Sequence, residues 1–480
     1  MIRPKVLLYY IGLVIAAIGL AMSSSVFWSV YYNEHIVLNL VFACIITGGV
    51  GIACILFGRQ EKAIINYREC FALVTMGWVM ASIFGALPFM VSGYFGSLAN
   101  SVFESVSGFT TTGASILTDI EVIPKSVLFW RSLIQWLGGM GILTLFVAII
   151  VEMGVGANQI FRTEAPGPVL DKVTPRIRET AKKLWITYLV LSVILFLLLK
   201  VFGMTVYDAL CHTFTTMATG GFSTRNQSIA YYGPAIQWII IVFMFIAGVN
   251  FSLHYLAFTR RRISGYLKDN EFRMYLILTT LATSIVFMGI NQFPDLEERI
   301  RIGLFQVISI MTTTGFAAAD YTLWSSTGQV IIFMLMFVGG CAGSTVGNIK
   351  VGRLLIMTKL IGIELKKIIH PRAVIPLHHG DKVFDSSTII NILQFFFLYM
   401  ISILAGTVVM GILGFDLLSS FTGAVACMGN IGPAFGSLGP ALNYASVPDA
   451  GKYALCILML LGRLEIYPVL VLLSMSFWKR

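Results

Sequence analysis

Ten long apolar runs, each bounded by polar or charged positions, divide the chain. They cover 6–27, 36–57, 71–93, 127–153, 184–203, 235–258, 274–291, 329–349, 388–413 and 452–476. Each is close to or above the length of about 20 residues that a helix needs to cross a bilayer. Between them lie four shorter stretches, Asn100–Phe109, Tyr207–Met217, Arg301–Met311 and Asp416–Met428, too short to cross. The first two long runs stand apart as a preface. The other eight fall into four pairs, and each pair brackets one short stretch. The pattern predicts an all-α polytopic membrane protein with two extra leading helices and four tandem helix–pore-loop–helix repeats around one pseudo-fourfold pore. The units are a preface over 1–68 and repeats over 69–155, 156–260, 261–365 and 366–480.

Each short stretch runs into a small-residue loop. The loops read Thr110-Thr111-Thr112-Gly113, Ala218-Thr219-Gly220-Gly221, Thr312-Thr313-Thr314-Gly315 and Gly429-Asn430-Ile431-Gly432. A segment that enters the membrane and returns must bury its backbone in protein or line water, because lipid cannot satisfy bare carbonyls. Four ordinary exposed turns of matching context would be a coincidence. Glycine reaches backbone angles closed to other residues, so successive carbonyls can face one axis. A ring of carbonyls can replace the water shell of a large, weakly hydrated cation such as potassium. Threonine hydroxyls add further oxygen, and the C-terminal ends of the short helices direct negative partial charge to the space below.

Composition narrows the class. Only 12% of residues are charged and mean hydropathy is +0.85, against about 25% charged in soluble domains. The net charge of +10 is concentrated in alternate loops. Arg3 and Lys5, Arg59, Lys62 and Arg68, Arg162 to Lys183, Arg260 to Arg273, Lys350 to Lys382, and Lys479 with Arg480 hold most of the basic residues. The positive-inside rule makes that side cytoplasmic, both termini included, and sets the four loops on the opposite face. A nucleic-acid partner is not needed to explain the charge. Seven cysteines without CxxC spacing read as small apolar residues. His378-His379 reads as part of a solvated basic loop. The N-terminal run 6–23 is longer than a signal-peptide core and reads as an uncleaved first span. No HExxH, GxSxG or converging His/Asp/Glu set points to an enzyme, and no phosphate-binding loop points to a nucleotide held by this chain itself.

One long run is internally broken. Gly339-Gly340-Cys341-Ala342-Gly343-Ser344-Thr345-Val346-Gly347-Asn348-Ile349-Lys350 follows Met334–Val338. Each glycine inside a helix costs about 1 kcal/mol relative to alanine, and irregular backbone at this depth must line a cavity or be covered by protein. Close helix packing through small residues is the competing explanation. Arg463 sits in the last apolar run, where a charge costs about 2.5–3.5 kcal/mol on insertion scales. Glu465 is two positions away, on another helix face. Arg463 is expected to face the pore, or else to pair with another helix. Arg131, Asp119 and Glu121 read as solvated groups of the outer face. Lys350 reads as the end of the buried stretch, and Asn430 as either a filter oxygen or a helix cap.

The loops in order, the paired-helix repeat and the two-helix preface together resemble the Trk/Ktr/HKT superfamily of potassium transporters. The closest resemblance is to the membrane subunit of bacterial Trk systems, over essentially the whole chain. The resemblance implies one filter glycine per repeat, mapped here to Gly113, Gly220, Gly315 and Gly432. It implies potassium, with rubidium, as the ion held at the filter residues, since the first loop carries Gly113 where sodium-transporting plant relatives carry serine. Ala218 and Asn430-Ile431 depart from the threonine pattern and imply looser selectivity. The resemblance also implies an obstructing intramembrane loop under the filter, read here as a gate over Gly339, Gly340, Gly343, Ser344, Thr345 and Gly347; Arg463, facing the pore, is expected to repel cations or to hold that loop closed. It further implies a homodimer in the bacterial inner membrane and a cytoplasmic TrkA-like ring of nucleotide-binding domains that regulates it. The basic segments at 154–183, 259–273 and 350–382 are candidate docking surfaces or topology signals alone. The alternative function is a proton- or sodium-coupled symporter, for which Glu104, Asp208, Asp416 and Glu465 are the available carboxylates.

Overall fold

The computed structural model describes residues 2–58, 66–141, 177–261, 263–290, 292–373, 376–379, 382–384 and 386–478. The predicted second half of the first repeat's closing span, 142–153, most of the basic segment 154–183 and the boundary at 155 lie outside these residues. The described chain is helical apart from a two-stranded antiparallel hairpin, Leu377–His379 with Lys382–Phe384, that pairs His378 with Val383.

The preface is a helical pair, Pro4–Tyr31 and Val37–Gly58. Close approach of the two backbones explains its small residues: a Cβ on Gly51 would lie 2.5 Å from the Ala16 nitrogen. The first repeat is anchored to this pair at its start. Asn66 caps helix Tyr67–Gly85 in a capping box with Glu69, and the Glu69 carboxylate also receives the Arg3 side chain at 2.7 and 2.8 Å. The opening helices of the other repeats are Ile177–Val201, Asn270–Gly289 and Ser386–Ile412.

The four short stretches form helices Leu98–Phe109, Val206–Met217, Leu296–Met311 and Leu417–Met428, the pore helices. Each starts at a side-chain cap. Ser97, Thr205, Asp295 and Asp416 accept the backbone N–H three residues on, at 3.2, 3.0, 3.2 and 3.1 Å. The third pore helix begins five residues before the predicted Arg301, because Asp295 rather than a later residue caps it.

The closing helices differ from expectation. Only the third was read as broken, yet all four depart from straight spans. Lys125–Gly139 ends at its cap Met140, and Gly141 follows with a φ of +68°. Pro234–Ala247 and Phe251–Arg260 meet at Gly248-Val249-Asn250 with a 99° bend. Asp449–Arg463 and Tyr467–Leu473 meet at Leu464-Glu465-Ile466 with a 118° bend. Ser326–Leu335 gives way to an irregular segment and resumes as Val351–Ile369. That last helix also corrects the reading of 350–382 as a loop: more than half of it is helical.

A candidate ion filter above an intramembrane loop

The pore helices end in one shared motif. Each C-cap, Thr110, Ala218, Thr312 and Gly429, is followed by a left-handed residue: Thr111 (φ 56°), Thr219 (53°), Thr313 (53°) and Asn430 (55°). The next N–H then reaches back to the helix. Thr112, Gly220, Thr314 and Ile431 donate to Ser107, Thr215, Ser309 and Ala426 carbonyls at 2.8–2.9 Å. This is the Schellman arrangement, with threonine or asparagine where glycine is usual.

One residue further, Gly113, Gly221, Gly315 and Gly432 have φ of 79°, 77°, 76° and 96°. The equivalent glycine of the second loop is therefore Gly221. Gly220, the residue expected from the resemblance, occupies the place of Thr112, Thr314 and Ile431. A Cβ placed on Gly113 would lie 2.2 Å from the Gly220 oxygen, and one on Gly221 1.9 Å from the Thr314 oxygen. One on Gly315 would lie 2.0 Å from the Ile431 oxygen, and one on Gly432 2.6 Å from the Thr112 oxygen. Each loop thus leans on the carbonyl of the next, and the fourth returns to the first. The contacts close a ring around one axis. The four glycines line a cavity of about 190 Å³ at the mouth.

Side chains behind the ring hold it. Thr110 and Thr112 share a 2.8 Å hydroxyl bond, as do Thr312 and Thr314. The Asn430 amide donates to Thr112 Oγ1 at 3.0 Å and to the Met459 carbonyl at 2.9 Å, so it braces the loops as well as occupying one. Gln135 donates to the Gly220 carbonyl at 2.6 Å and accepts from Phe222 N at 3.1 Å. Tyr444 and Tyr321 hydroxyls donate to the Gly432 and Ala434 carbonyls, both at 2.7 Å. The sequence reading missed Gln135, Tyr321 and Tyr444. The available signal was a polar group placed in or beside an apolar run.

Arg131 is not solvated. It is 2% exposed, its Nε lies 2.5 Å from Glu104 Oε1, and Glu104 is fully buried. Asp119 and Glu121 are exposed, but both bond Asn226 of the second repeat, at 2.8 and 3.3 Å.

The irregular segment 339–350 lies directly under the ring. Thr345 donates to the Met217 carbonyl at 3.1 Å and its hydroxyl receives Thr219 at 3.3 Å. Gly347 N donates to Thr313 Oγ1 at 3.0 Å, and a Cβ on Gly347 would lie 2.6 Å from the Gly429 oxygen. Gly343 O receives Phe251 N at 3.0 Å, and Ser344 donates to the Cys341 carbonyl at 2.5 Å. The segment is also tied at its neck. Gly339 N donates to Ile349 O at 2.8 Å, and Val351 N to Gly340 O at 3.0 Å. Glu271 Oε1 receives both Ala342 N and Gly352 N at 2.7 Å. Lys350 ends the segment as the N-cap of Val351–Ile369, but its side chain is buried, with its ammonium on the Val346 carbonyl of the loop.

Arg463 approaches from the fourth repeat. Its guanidinium donates to the Thr345 carbonyl at 2.9 Å and to the Gly138 and Gly139 carbonyls at 2.5 and 2.8 Å. The Gly138 and Gly139 carbonyls lie at the C-terminal end of the first repeat's closing helix, where Gly138 O also receives Gly141 N at 3.0 Å. Glu465 pairs with Arg353 at 2.5 Å instead.

The family model for TrkH, cation transport protein, matches residues 32–479. The chain is 36% identical to the Trk system potassium uptake protein TrkH of Halomonas elongata, over 99% of both chains. It is 38% identical to the protein of that name from Escherichia coli, over 88% of each. The crystal structure of the potassium transporter TrkH from Vibrio parahaemolyticus matches with a TM-score of 0.90 at 33% identity, covering all of both chains. Ring, re-entrant loops and whole-chain similarity agree, and the chain belongs to the TrkH family of membrane cation transport proteins.

Proposed function

We propose that this chain is the ion-translocating subunit of a potassium uptake system, with a channel-like path that also admits rubidium. The observation that carries the reading is the closed glycine-to-carbonyl cycle at 113, 221, 315 and 432. A cation entering the mouth exchanges its water for oxygens of Thr110 to Gly113, Ala218 to Gly221, Thr312 to Gly315 and Asn430 to Gly432. The C-terminal ends of the four pore helices favour a cation at the inner end of the ring. Below it the ion meets the gate, the loop bearing Gly339, Gly340, Gly343, Ser344, Thr345 and Gly347, fastened by Arg463. We keep the four repeats as proposed above, with the cuts at 68 and 365 moved to the start of helix Tyr67–Gly85 and the end of helix Val351–Ile369, and the preface as a lateral pair.

The basic end faces the cytoplasm of a bacterial inner membrane, termini included, by the positive-inside rule. Trk names of the relatives speak of a system, and we assign the basic end to a TrkA-like nucleotide-binding ring. Nucleotide then acts through that partner and not on this chain. The subunit works as a homodimer.

The test is tracer rubidium uptake into proteoliposomes holding the purified chain, with potassium, sodium and lithium as competitors. Block by potassium at concentrations where sodium has little effect is the expected result. Equal block by all three cations rejects the filter.

A further inference from the structure

We infer that the buried Glu104–Arg131 pair sets cation selectivity, by fixing where the first and second filter loops leave the ring. The inference rests on the proposed filter and names a determinant outside it. Glu104 lies on the first pore helix and Arg131 on the closing helix of the same repeat. Glu104 accepts Ser115 Oγ at 2.9 Å and Ile116 N at 3.0 Å, the outgoing strand just beyond Gly113. Arg131 gives its Nε to Glu104 at 2.5 Å and its Nη1 to the Ser223 carbonyl at 3.0 Å, just beyond Gly221. Its guanidinium carbon stands 3.6 Å from the centroid of the Phe222 ring. One charge pair therefore holds two adjacent loops by their exits.

At the matching position the other repeats carry no carboxylate, and the charged brace of the second, Asp208 with the part-exposed Arg225 at 3.3 Å, stays within its own loop. Six residues before each pore-helix cap stand Glu104, His212, Gln306 and Gly423. His212 Nε2 is 3.2 Å from Ser223 Oγ, and Gln306 Oε1 accepts Ala318 N at 3.3 Å. In the fourth repeat Thr422 Oγ1 accepts Phe435 N at 3.1 Å instead. Neighbouring loops are joined by backbone or tyrosine bonds elsewhere: Ile229 N to Ala317 O, Tyr321 to Ala434 O, and Tyr444 N to Ser115 O. Among the described residues, only the seam between the first and second loops is joined by a buried ion pair. A buried pair is a costly way to gain stability alone. A fully satisfied polar network in a low-dielectric interior does make its surroundings stiff. Stiffness matters at a ring that must hold its diameter against a smaller ion.

Arg131→Lys separates position from charge. Lysine keeps a cation beside Glu104 but lacks the planar fork that reaches Ser223 O at the same time. We expect the ratio of sodium to potassium concentrations that halve rubidium uptake to fall at least about fivefold, as for loss of a hydrogen bond to a charged group. This ratio does not depend on how much protein inserts, so a merely structural role would leave it unmoved. Phe222→Leu removes the ring beneath the guanidinium and keeps the ion pair, and should shift the ratio the same way by less. Potassium-specific protection against thermal unfolding in detergent reads the same preference where flux is too low to measure. Wild-type ratios in Arg131→Lys and Phe222→Leu overturn the inference. If the wild-type chain itself fails to prefer potassium, the filter reading falls first. If it discriminates and both variants match it, only the role of the pair falls.

Discussion

Thr111, Thr219 and Thr313 occupy left-handed backbone space, where a β-branched residue is a marked outlier. Such strain costs on the order of 1–3 kcal/mol per residue and persists only where the surroundings enforce it. The enforcement is visible: each of these loops carries both backward bonds of its helix end, and Thr219 and Thr313 also bond the loop below. The alternation of positive and negative φ through 111–113 is what turns the backbone away from the strand habit of opposed carbonyls. It also fixes the register, which sequence inspection misaligned by one in the second loop because Gly220 and Gly221 are adjacent and either satisfies a one-glycine rule. The two glycines differ in what a methyl group meets. On Gly221 it strikes a backbone oxygen at 1.9 Å in a positive-φ residue; on Gly220 it strikes the end of the Gln135 side chain at 2.4 Å, which can give. Gly221→Ala should therefore lower rubidium uptake at least about tenfold, some 1.4 kcal/mol on the barrier. Gly220→Ala should lower it less. Measured at equal protein per vesicle, a reversed order would show that the register is set differently.

Helices were legible where apolar length and caps coincided, and less so where a helix ends inside an apolar run. The third closing helix announced its break with four glycines in twelve residues. The bend at Leu464-Glu465-Ile466 has no glycine at all; its signals were a charge pair and Pro468 at the start of the next helix. The bend at 248–250 was marked by one glycine and by Asn250, which caps Phe251–Arg260 through Ser252 N at 2.9 Å. Arg131 was misread for a related reason. A charge in the span 127–153 calls for a buried partner, and Glu104 was too distant in sequence for any spacing rule to nominate. The loop 339–350 likewise depends on distant residues. Glu271 ties both sides of its neck, and Arg463 ties its tip to the first repeat. Removing either should free the loop. Glu271→Ala, Arg463→Ala and shortening of 341–348 should each raise rubidium flux through the chain alone, several-fold over wild type. Flux at the wild-type level with normal membrane insertion would argue that the loop does not obstruct the path. Loss of insertion in Arg463→Ala alone would make that residue a structural tie, leaving Glu271→Ala to decide.

At the scale of the whole molecule the question is whether the path is passive or driven by another ion. A symporter needs a carboxylate inside the membrane that can change partners or protonation as the cycle turns. The four carboxylates named from the sequence are all committed, and so is Glu271, whose Oε1 receives Ala342 N and Gly352 N at 2.7 Å. Glu104 holds Arg131, Ser115 and Ile116 N. Asp208 accepts Thr205 at 2.9 Å, Thr224 at 2.7 Å and Arg225 at 3.3 Å. Asp416 caps a pore helix at the exposed mouth, and Glu465 is paired with Arg353. Of these carboxylates only Glu271 bonds the loop, and its contacts are with the backbone N–H groups of the neck. The ring is backbone and hydroxyl, which do not titrate in the working range. Uptake should accordingly follow the potassium gradient and the membrane voltage. Imposing a proton or sodium gradient at fixed voltage should leave the initial rate unchanged. A rate that rises with either gradient would move the function to coupled transport, and Glu104→Gln, Asp208→Asn and Glu465→Gln would then identify the site by which of them abolishes the dependence.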